Sequence, residues 1–480
     1  MLRILLVNPK SNLPIDTRTS PAMGLAYLGA VSLARGDEVH LWDGDVEDQS
    51  LAHEVETYRP HLVGITANTT QIRAAWAAAD EVKGVADVPV VLGGPHPTIL
   101  PEESAARPAV DLVARGEGER TWTELSALLE QSGIAQQPLG ALLGQQPDLL
   151  AGVLGITYRM PDGQVRANPD RPTIADLDSL PWPAWRLYKL DRYTNLQPTL
   201  DAVQGRSLPI LTSRGCPYRC AYCSQITERR WRMRSAESVA AEWRWLVQEM
   251  GAGEIGVLDD SFNINRQRVL DLCALLVEQG LHHVPWIMIN GIRANLANEE
   301  LLGQMRRAGC IRTAFGVESG NQEILDRIIH KQLTLEQIRS AFRAAKSVGM
   351  ETIGFFILGM PGETEETMEQ TIRFAIELDP LVANFSMATP FPGTELYQIV
   401  QREGRILAND WDDFVFFEGK ARFEMPGLPA ELVERKWKEA YRRFYLRPRR
   451  VLRTLARKKT WLDLPRTLRV AWRTAVTGGE

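Results

Sequence analysis

The chain has 480 residues, 44% of them hydrophobic and 24% charged. That is an ordinary globular composition with length for two or three domains. The net charge of −5 conceals an asymmetry: residues 435–480 hold fifteen Lys or Arg against three Asp or Glu, giving +12 there and −17 elsewhere. The longest apolar run, near 353–360, falls far short of the ~20 residues of a membrane span. The apolar run at 4–7 meets Asn8-Pro9-Lys10 too soon to be the h-region of a secretory leader. With only five cysteines, three of them in one loop, the expected compartment is a reducing one, the cytoplasm.

The first third alternates short apolar runs with helical patterns. Strands are expected at 3–8, 38–42, 62–66, 88–92 and 111–114, and helices at 24–34, 51–57, 71–82 and 121–129. Such alternation predicts a doubly wound parallel sheet, which binds ligands beyond the carboxyl ends of its strands. Thr66 ends the third strand. Gly93-Gly94-Pro95-His96 follows the fourth, and Gly116-Glu117-Gly118-Glu119 the fifth. Glycines there let backbone amides approach a large polar ligand. No G-x-G-x-x-G follows the first strand, which argues against a dinucleotide; a sheet without any ligand stays an alternative.

Residues 136–147 are rich in Gln, Gly, Leu and Pro and read as a linker. A hairpin is expected around Pro161-Asp162-Gly163. Leu180-Pro-Trp-Pro-Ala-Trp185 reads as a packing bridge between domains. Little chemistry is visible in this stretch.

After an apolar run at 208–211, Cys216, Cys220 and Cys223 stand in a C-x₃-C-x₂-C spacing. Three thiolates on one loop can hold three irons of a 4Fe–4S cube, and with no fourth cysteine nearby one iron stays open. A zinc site would close four ligands, usually as two separated pairs, and a disulfide framework would need an oxidising compartment. Beyond the loop the pattern gives strands at 254–258, 286–289, 313–317, 352–358 and 383–387 with helices between them. With the strand before Cys216 these are six βα repeats, a partial parallel barrel whose active site gathers at the carboxyl ends. Asp259, Asp260, Arg293, Glu318, Ser319 and the turn 359–363 all lie just past a strand. Any one acid there could be only a helix cap or a salt bridge. Together, in register with the cysteine loop, they point to a site.

The cysteine loop, with the aromatic Tyr222 beside the third cysteine, resembles that of the radical SAM enzymes. Through that resemblance Cys216, Cys220 and Cys223 are implied as cluster ligands and S-adenosylmethionine as the molecule on the open iron. Asp260 is placed near its amine, Arg293 among its contacts, Glu318 and Ser319 near its ribose, and Leu358, Gly359 and Gly362 around its adenine. The first 135 residues resemble the cobalamin-binding domain found in front of many radical SAM domains. This implies Thr66, Gly93, Gly94, His96, Gly116, Glu117 and Gly118 as cobalamin contacts. None of the seven histidines sits in a D-x-H-x-x-G context, so the cobalamin is expected base-off, without a protein histidine. The absence of cysteine before Cys216 sets the chain apart from methylthiotransferases, which carry a second cluster.

The resemblance implies a cobalamin-dependent radical SAM enzyme. The leading expectation is a methyltransferase acting on an sp³ carbon through a 5′-deoxyadenosyl radical and methylcobalamin. Alternatives are an oxidative cyclase or rearranging enzyme of the magnesium-porphyrin type, a hopanoid- or other lipid-modifying enzyme, and a non-catalytic cobalamin or iron–sulfur sensor. The hard chemistry belongs to cofactors, and an electron donor is expected, a flavodoxin or a ferredoxin. The expected α/β organisation is a Rossmann-like cobalamin domain at 1–135, a linker and hairpin region at 136–205, a TIM-type half-barrel at 206–400 and a small basic helical region at 401–480. Residues 411–424, aromatic and acidic, read as a flap over the barrel mouth. In the tail, Leu468, Ala471, Trp472 and Ala475 recur at helical spacing among Arg466, Arg469 and Arg473. Two readings stay open for it: peripheral contact with an anionic membrane, or a helical cap on the barrel. Nucleic acid is not expected, since no reading element accompanies the charge. The substrate is expected to be a small molecule or a lipid.

Overall fold

A computed structural model describes residues 1–11, 18, 21–194, 205–224, 226, 229–415 and 418–456. The chain forms two compact units. One is Met1–Thr194 with Asp410–Asp413; the other holds most of the described chain beyond residue 204.

In the first unit β1 (Arg3–Asn8), α1 (Met23–Ala34), β2 (Glu38–Asp43), α2 (Leu51–Tyr58), β3 (Leu62–Thr66), α3 (Ile72–Val85) and β4 (Val90–Gly93) alternate. The short helices α4 (Pro95–Ile99) and α5 (Pro101–Ala105), β5 (Leu112–Ala114), α6 (Gly118–Gln131) and α7 (Leu139–Gln145) follow. The five strands run parallel in the order β2-β1-β3-β4-β5. Both sheet faces are apolar because helices cover both. Leu5, Val63 and Val90 pack with Ile72 and Ala79 on one face; Ile4, Leu62 and Val91 pack with Leu25 and Trp122 on the other. This is the expected doubly wound sheet. Its order reverses between β1 and β3, so the ligand crevice lies beyond Asn8 and Thr66. The expected hairpin is present as β6 (Ile156–Arg159) and β7 (Val165–Ala167), and β6 pairs antiparallel with β5. It thus extends the first sheet to seven strands, and the unit runs on to Thr194. Trp185 is fully buried there, whereas Trp182 is exposed.

In the second unit β8 (Arg206–Ile210) leads into a ribbon of β9 (Ser213–Arg214) and β10 (Arg232–Met233). Then come α8 (Ala236–Gln248), β11 (Ala252–Val257), α9 (Arg266–Glu278), β12 (Trp286–Met288), α10 (Glu299–Arg307), β13 (Cys310–Glu318), α11 (Leu335–Ser347), β14 (Glu351–Leu358), α12 (Glu365–Leu378), β15 (Val382–Met387) and α13 (Glu395–Glu403). Six parallel strands in the order β15-β14-β13-β12-β11-β8 form the expected half-barrel. Each of its helices starts on a side chain suited to an N-cap: Ser235, Asn265, Asn298, Thr334, Thr364 and Thr394 all accept a first-turn amide. Cys273 and Cys310 are buried packing residues.

A short pair, β16 (Arg405–Ile406) and β17 (Phe423–Glu424), precedes α14 (Ala430–Tyr445) and α15 (Pro448–Ala456). α14 caps this unit: the Trp437 indole N–H donates to the Phe385 carbonyl at 2.7 Å. Of the stretch at 411–424 expected as a flap, residues 411–413 belong to the first unit, where the half-buried Trp411 indole donates to Glu103 Oε1 at 2.9 Å. Among the described residues no helix is long and apolar enough to cross a membrane. The tail helix expected at 466–475 lies outside the described residues.

Candidate active site

The cysteine loop leaves the carboxyl end of β8 and is tied to β11. Asp259 accepts the Thr212 amide and the Ser213 hydroxyl, each at 2.6 Å. Asp260 Oδ2 accepts the Gly215 amide at 3.1 Å; burial pushes its carboxyl up, against that hydrogen bond. The Ser261 hydroxyl lies 3.3 Å from Cys216 Sγ. Cys220 is buried, while Cys216 and Cys223 are half-buried. Burial first, and the other two thiols next, push Cys223 up to about 12; burial also raises Cys220.

Burial makes Cys220 and Cys223 resist ionisation, and three thiols on one short loop suit a polycationic group, which would displace their protons on binding. Among the described residues no group of three or more His, Cys, Asp or Glu side chains is gathered closely enough to hold a metal ion. The spacing of Cys216, Cys220 and Cys223 on one loop, with no fourth cysteine nearby, is what fits three ligands to a 4Fe–4S cluster.

Beside the loop, at the end of β13, lies a buried polar network. Glu318 accepts the Tyr222 hydroxyl at 2.7 Å and the Lys331 ammonium at 2.6 Å. Arg293 stacks its guanidinium on the Tyr218 ring at 3.6 Å and donates to the carbonyls of Lys331 and Gln332 at 3.0 and 3.1 Å. Asn263 clamps the Arg293 backbone from both sides, at 2.9 and 3.0 Å. The structure therefore brings Tyr222, Arg293 and Glu318 together around the cysteine loop.

Ser319 turns elsewhere. It is fully buried, with its hydroxyl 3.2 Å from that of Thr371, so it braces the β13–α12 contact. Leu358 is buried and ends β14. The turn after it is held by Glu363, which accepts the amides of Gly359 and Met360 at 2.7 and 2.9 Å. Gly359 is required there: φ is +86°, and a Cβ would lie 2.6 Å from Val433. Gly362, also left-handed, faces Ile328.

Lys331 and Glu363 were missed by the sequence reading. Lys331 sits in an aperiodic segment between β13 and α11, where no local pattern marks it. Glu363 was read only as the last residue of a glycine turn.

In the first unit, Thr66, Gly93 and Gly116 stand at the carboxyl ends of β3, β4 and β5. Gly94 has φ +102°, and a Cβ on it would lie 2.6 Å from the Ala67 carbonyl oxygen; only glycine lets the chain pass. The Gly116 amide donates to Thr98 Oγ1 at 3.0 Å. Gly118 is the first residue of α6, and Glu117 accepts the Ile174 amide at 2.7 Å. The His96 ring is sealed from solvent: its nitrogens face Thr69 at 3.3 Å and Glu103 at 3.2 Å. Burial holds its pKa below the usual imidazole value. Of the strand-end glycines, Gly94 is required by the backbone beside it, while Gly116 borders open space at the carboxyl end of the sheet; the His96 ring is engaged inside the unit.

A doubly wound sheet domain followed by a half-barrel with a three-cysteine loop defines a class of two-domain radical enzymes. The Radical SAM superfamily model matches residues 210–375, and the B12 binding domain model matches residues 18–126. An uncharacterized methyltransferase of Pyrococcus horikoshii is 34% identical, over 95% of this chain and 95% of that protein. The anaerobic magnesium-protoporphyrin IX monomethyl ester cyclase of Rubrivivax gelatinosus is 31% identical, over 83% of this chain and 70% of that protein. A radical S-adenosylmethionine methyltransferase from Kitasatospora setae, solved with cobalamin and a 4Fe–4S cluster, shares the fold at a TM-score of 0.66 and 22% identity, covering 83% of this chain and 78% of that one. The chain belongs to the cobalamin-dependent radical SAM enzymes. That family brings an iron–sulfur cluster, S-adenosylmethionine and cobalamin.

Proposed function

We propose that this protein is a methyltransferase that places a methyl group on an sp³ carbon of a small-molecule or lipid substrate. The observation that carries this reading is the nearly end-to-end similarity to the Pyrococcus horikoshii methyltransferase, together with a cysteine loop whose spacing suits the cluster. When bound, the cluster supplies the electron that cleaves S-adenosylmethionine, and cobalamin supplies the methyl group. The chain's own part is positional. Cys216, Cys220 and Cys223 hold the cluster. Glu318 and Asp260 offer acceptors to the ribose and the amine, and the turn 359–362 offers backbone to the adenine. Thr66, Gly93, Gly94 and Gly116 lie at the strand ends where cobalamin would bind. A flavodoxin or ferredoxin as electron donor belongs to this proposal, and so does a cytoplasmic location.

A second reading, radical ring closure, is favoured by the similarity to the Rubrivivax gelatinosus cyclase. One experiment separates the two. The protein is reconstituted anaerobically with iron and sulfide, then given a reductant, S-adenosylmethionine and hydroxocobalamin, and its nucleoside products are measured by mass spectrometry. Methyl transfer predicts both 5′-deoxyadenosine and S-adenosylhomocysteine. Deoxyadenosine alone, with cobalamin bound, favours the cyclase chemistry. Cys216→Ala is expected to lose the cluster's visible absorbance and both products; their persistence would refute the cluster assignment.

A further inference from the structure

We propose that Lys331 is a positioning residue: it holds one oxygen of Glu318 so that the other is presented to a hydroxyl of the bound nucleoside. The inference rests on the reading of this site as one for S-adenosylmethionine, and it adds a residue that no strand-end pattern marks. Glu318 Oε1 takes both the Tyr222 hydroxyl and the Lys331 ammonium. Among the described residues no hydrogen bond engages Oε2, nor is that atom one of the sealed, unpartnered ones. A carboxylate with one oxygen capped twice and the other reachable is an acceptor waiting for a donor.

Three separate features of the backbone serve this arrangement. Glu318 itself is left-handed at φ +65°, and so are His330 (+57°) and Gln332 (+54°) on either side of Lys331. Non-glycine residues rarely adopt that conformation and concentrate at ligand-binding positions. The β13–β14 register shifts between Gly316 and Glu318, a bulge of the kind that re-aims a side chain beside a site. A Cβ on Gly316 would lie 2.5 Å from Glu318 Oε1 and 2.8 Å from Lys331 Nζ, so any larger residue there would displace the pair from this arrangement. Burying an ion pair is a poor route to stability, since apolar residues of the same volume usually do as well. An arrangement that spends three left-handed residues, a bulge and a glycine on one carboxylate is explained by what that carboxylate binds. Lys331 sets a cation against a carboxylate that is nearly sealed from solvent. Arg293 holds the Lys331 and Gln332 carbonyls while resting on Tyr218, and so fixes the lysine relative to the cysteine loop.

The test uses the full-length, anaerobically reconstituted protein and S-adenosylmethionine itself. Lys331→Met is expected to weaken equilibrium binding of S-adenosylmethionine at least about tenfold, the cost of leaving a buried charge unpaired. Its iron content should match the wild type. The change that S-adenosylmethionine makes in the reduced cluster's EPR signal should need correspondingly more ligand. In a Glu318→Gln background, adding Lys331→Met should change binding less than about twofold, because the lysine then has no carboxylate to hold. Should the single variant not fold, the double variant, which leaves no orphaned charge, is compared with Glu318→Gln, and a further loss of more than about twofold on removing the lysine overturns the proposal. Binding by Lys331→Met within twofold of wild type overturns the proposal. So does an equal loss in both backgrounds, which would mark a general packing role. A wild type that binds no S-adenosylmethionine would instead refute the functional reading, and this inference with it.

Discussion

Glu363 is a carboxylate buried without a cation. Its Oε2 accepts two backbone amides and its Oε1 has no partner. Burial pushes its pKa up to about 7, against the pull of those amides. The folded state therefore binds its proton more tightly than the unfolded chain, whose glutamates titrate near ~4.3. The stabilisation is present in full below that value and is lost as pH rises from about 4.5 to 7. It amounts to about 3 kcal/mol for one proton over that window. In Glu363→Gln this component should vanish, so the stability difference between variant and wild type should drift across pH 4.5–7 and level off above it. Chemical denaturation at a series of pH values measures this, and a pH-independent difference would refute the assignment. The cysteine spacing and the polar residues at strand ends were legible in the sequence because local spacing fixes them. Lys331 was not, because it meets Glu318 through a bulge and three left-handed residues that no short pattern announces. Ser319 was legible as a strand-end residue, but its turn toward Thr371 depends on α12, far along the chain.

At the scale of elements, α14 shows how a basic sequence becomes a structural helix. Val433, Trp437, Ala440 and Phe444 form one buried stripe at the spacing of a helical face. On the polar side Lys436 and Arg443 reach Glu369 at 3.3 and 2.6 Å and Glu439 at 2.9 and 2.8 Å. Lys436 is itself buried beneath these carboxylates, whereas the exposed pair of Arg435 with Glu365 contributes little; the apolar stripe is what holds the helix. Trp437→Ala is expected to destabilise the second unit by about 3–5 kcal/mol, since it opens a cavity and leaves the Phe385 carbonyl without its indole donor. Arg435→Ala, which removes an exposed pair with Glu365 at 3.0 Å, should cost less than about 1 kcal/mol. Denaturant unfolding that gave the two variants equal costs would contradict this account. The hairpin β6–β7 was legible from its Pro-Asp-Gly turn, yet its place at the edge of the first sheet was not, because pairing with β5 is a long-range choice. The partner of Trp411 was out of reach for the same reason: an aromatic, acidic stretch shows that it packs, and Glu103 lies 308 residues away.

For the whole molecule, the charge asymmetry is the feature with a consequence still to be tested. The body outside residues 435–480 carries −17, so an anionic surface repels it and attracts only the basic end. Part of that end is occupied. Lys436 and Arg443 serve the α14 network, and Arg447 and Arg453 reach Asp379 at 2.6 and 2.8 Å. Leu446, Val451 and Leu452 are exposed beside them, which gives α15 the mixed apolar and basic surface that lipid headgroups accept. A truncation at 436 would remove the buried stripe of α14 and report on folding rather than on lipid, so the informative cut falls after Ala456. It removes six Lys or Arg and two Asp or Glu, each basic residue near an anionic surface contributing up to about 1 kcal/mol. The full chain is expected to sediment with phosphatidylglycerol vesicles at low salt and to be released as salt rises. The truncated chain, which keeps α15, should sediment less and be released at lower salt while keeping the wild-type melting temperature. Equal sedimentation of both chains would place the contact elsewhere, and none by either would leave the basic end without a membrane role and favour a water-soluble substrate.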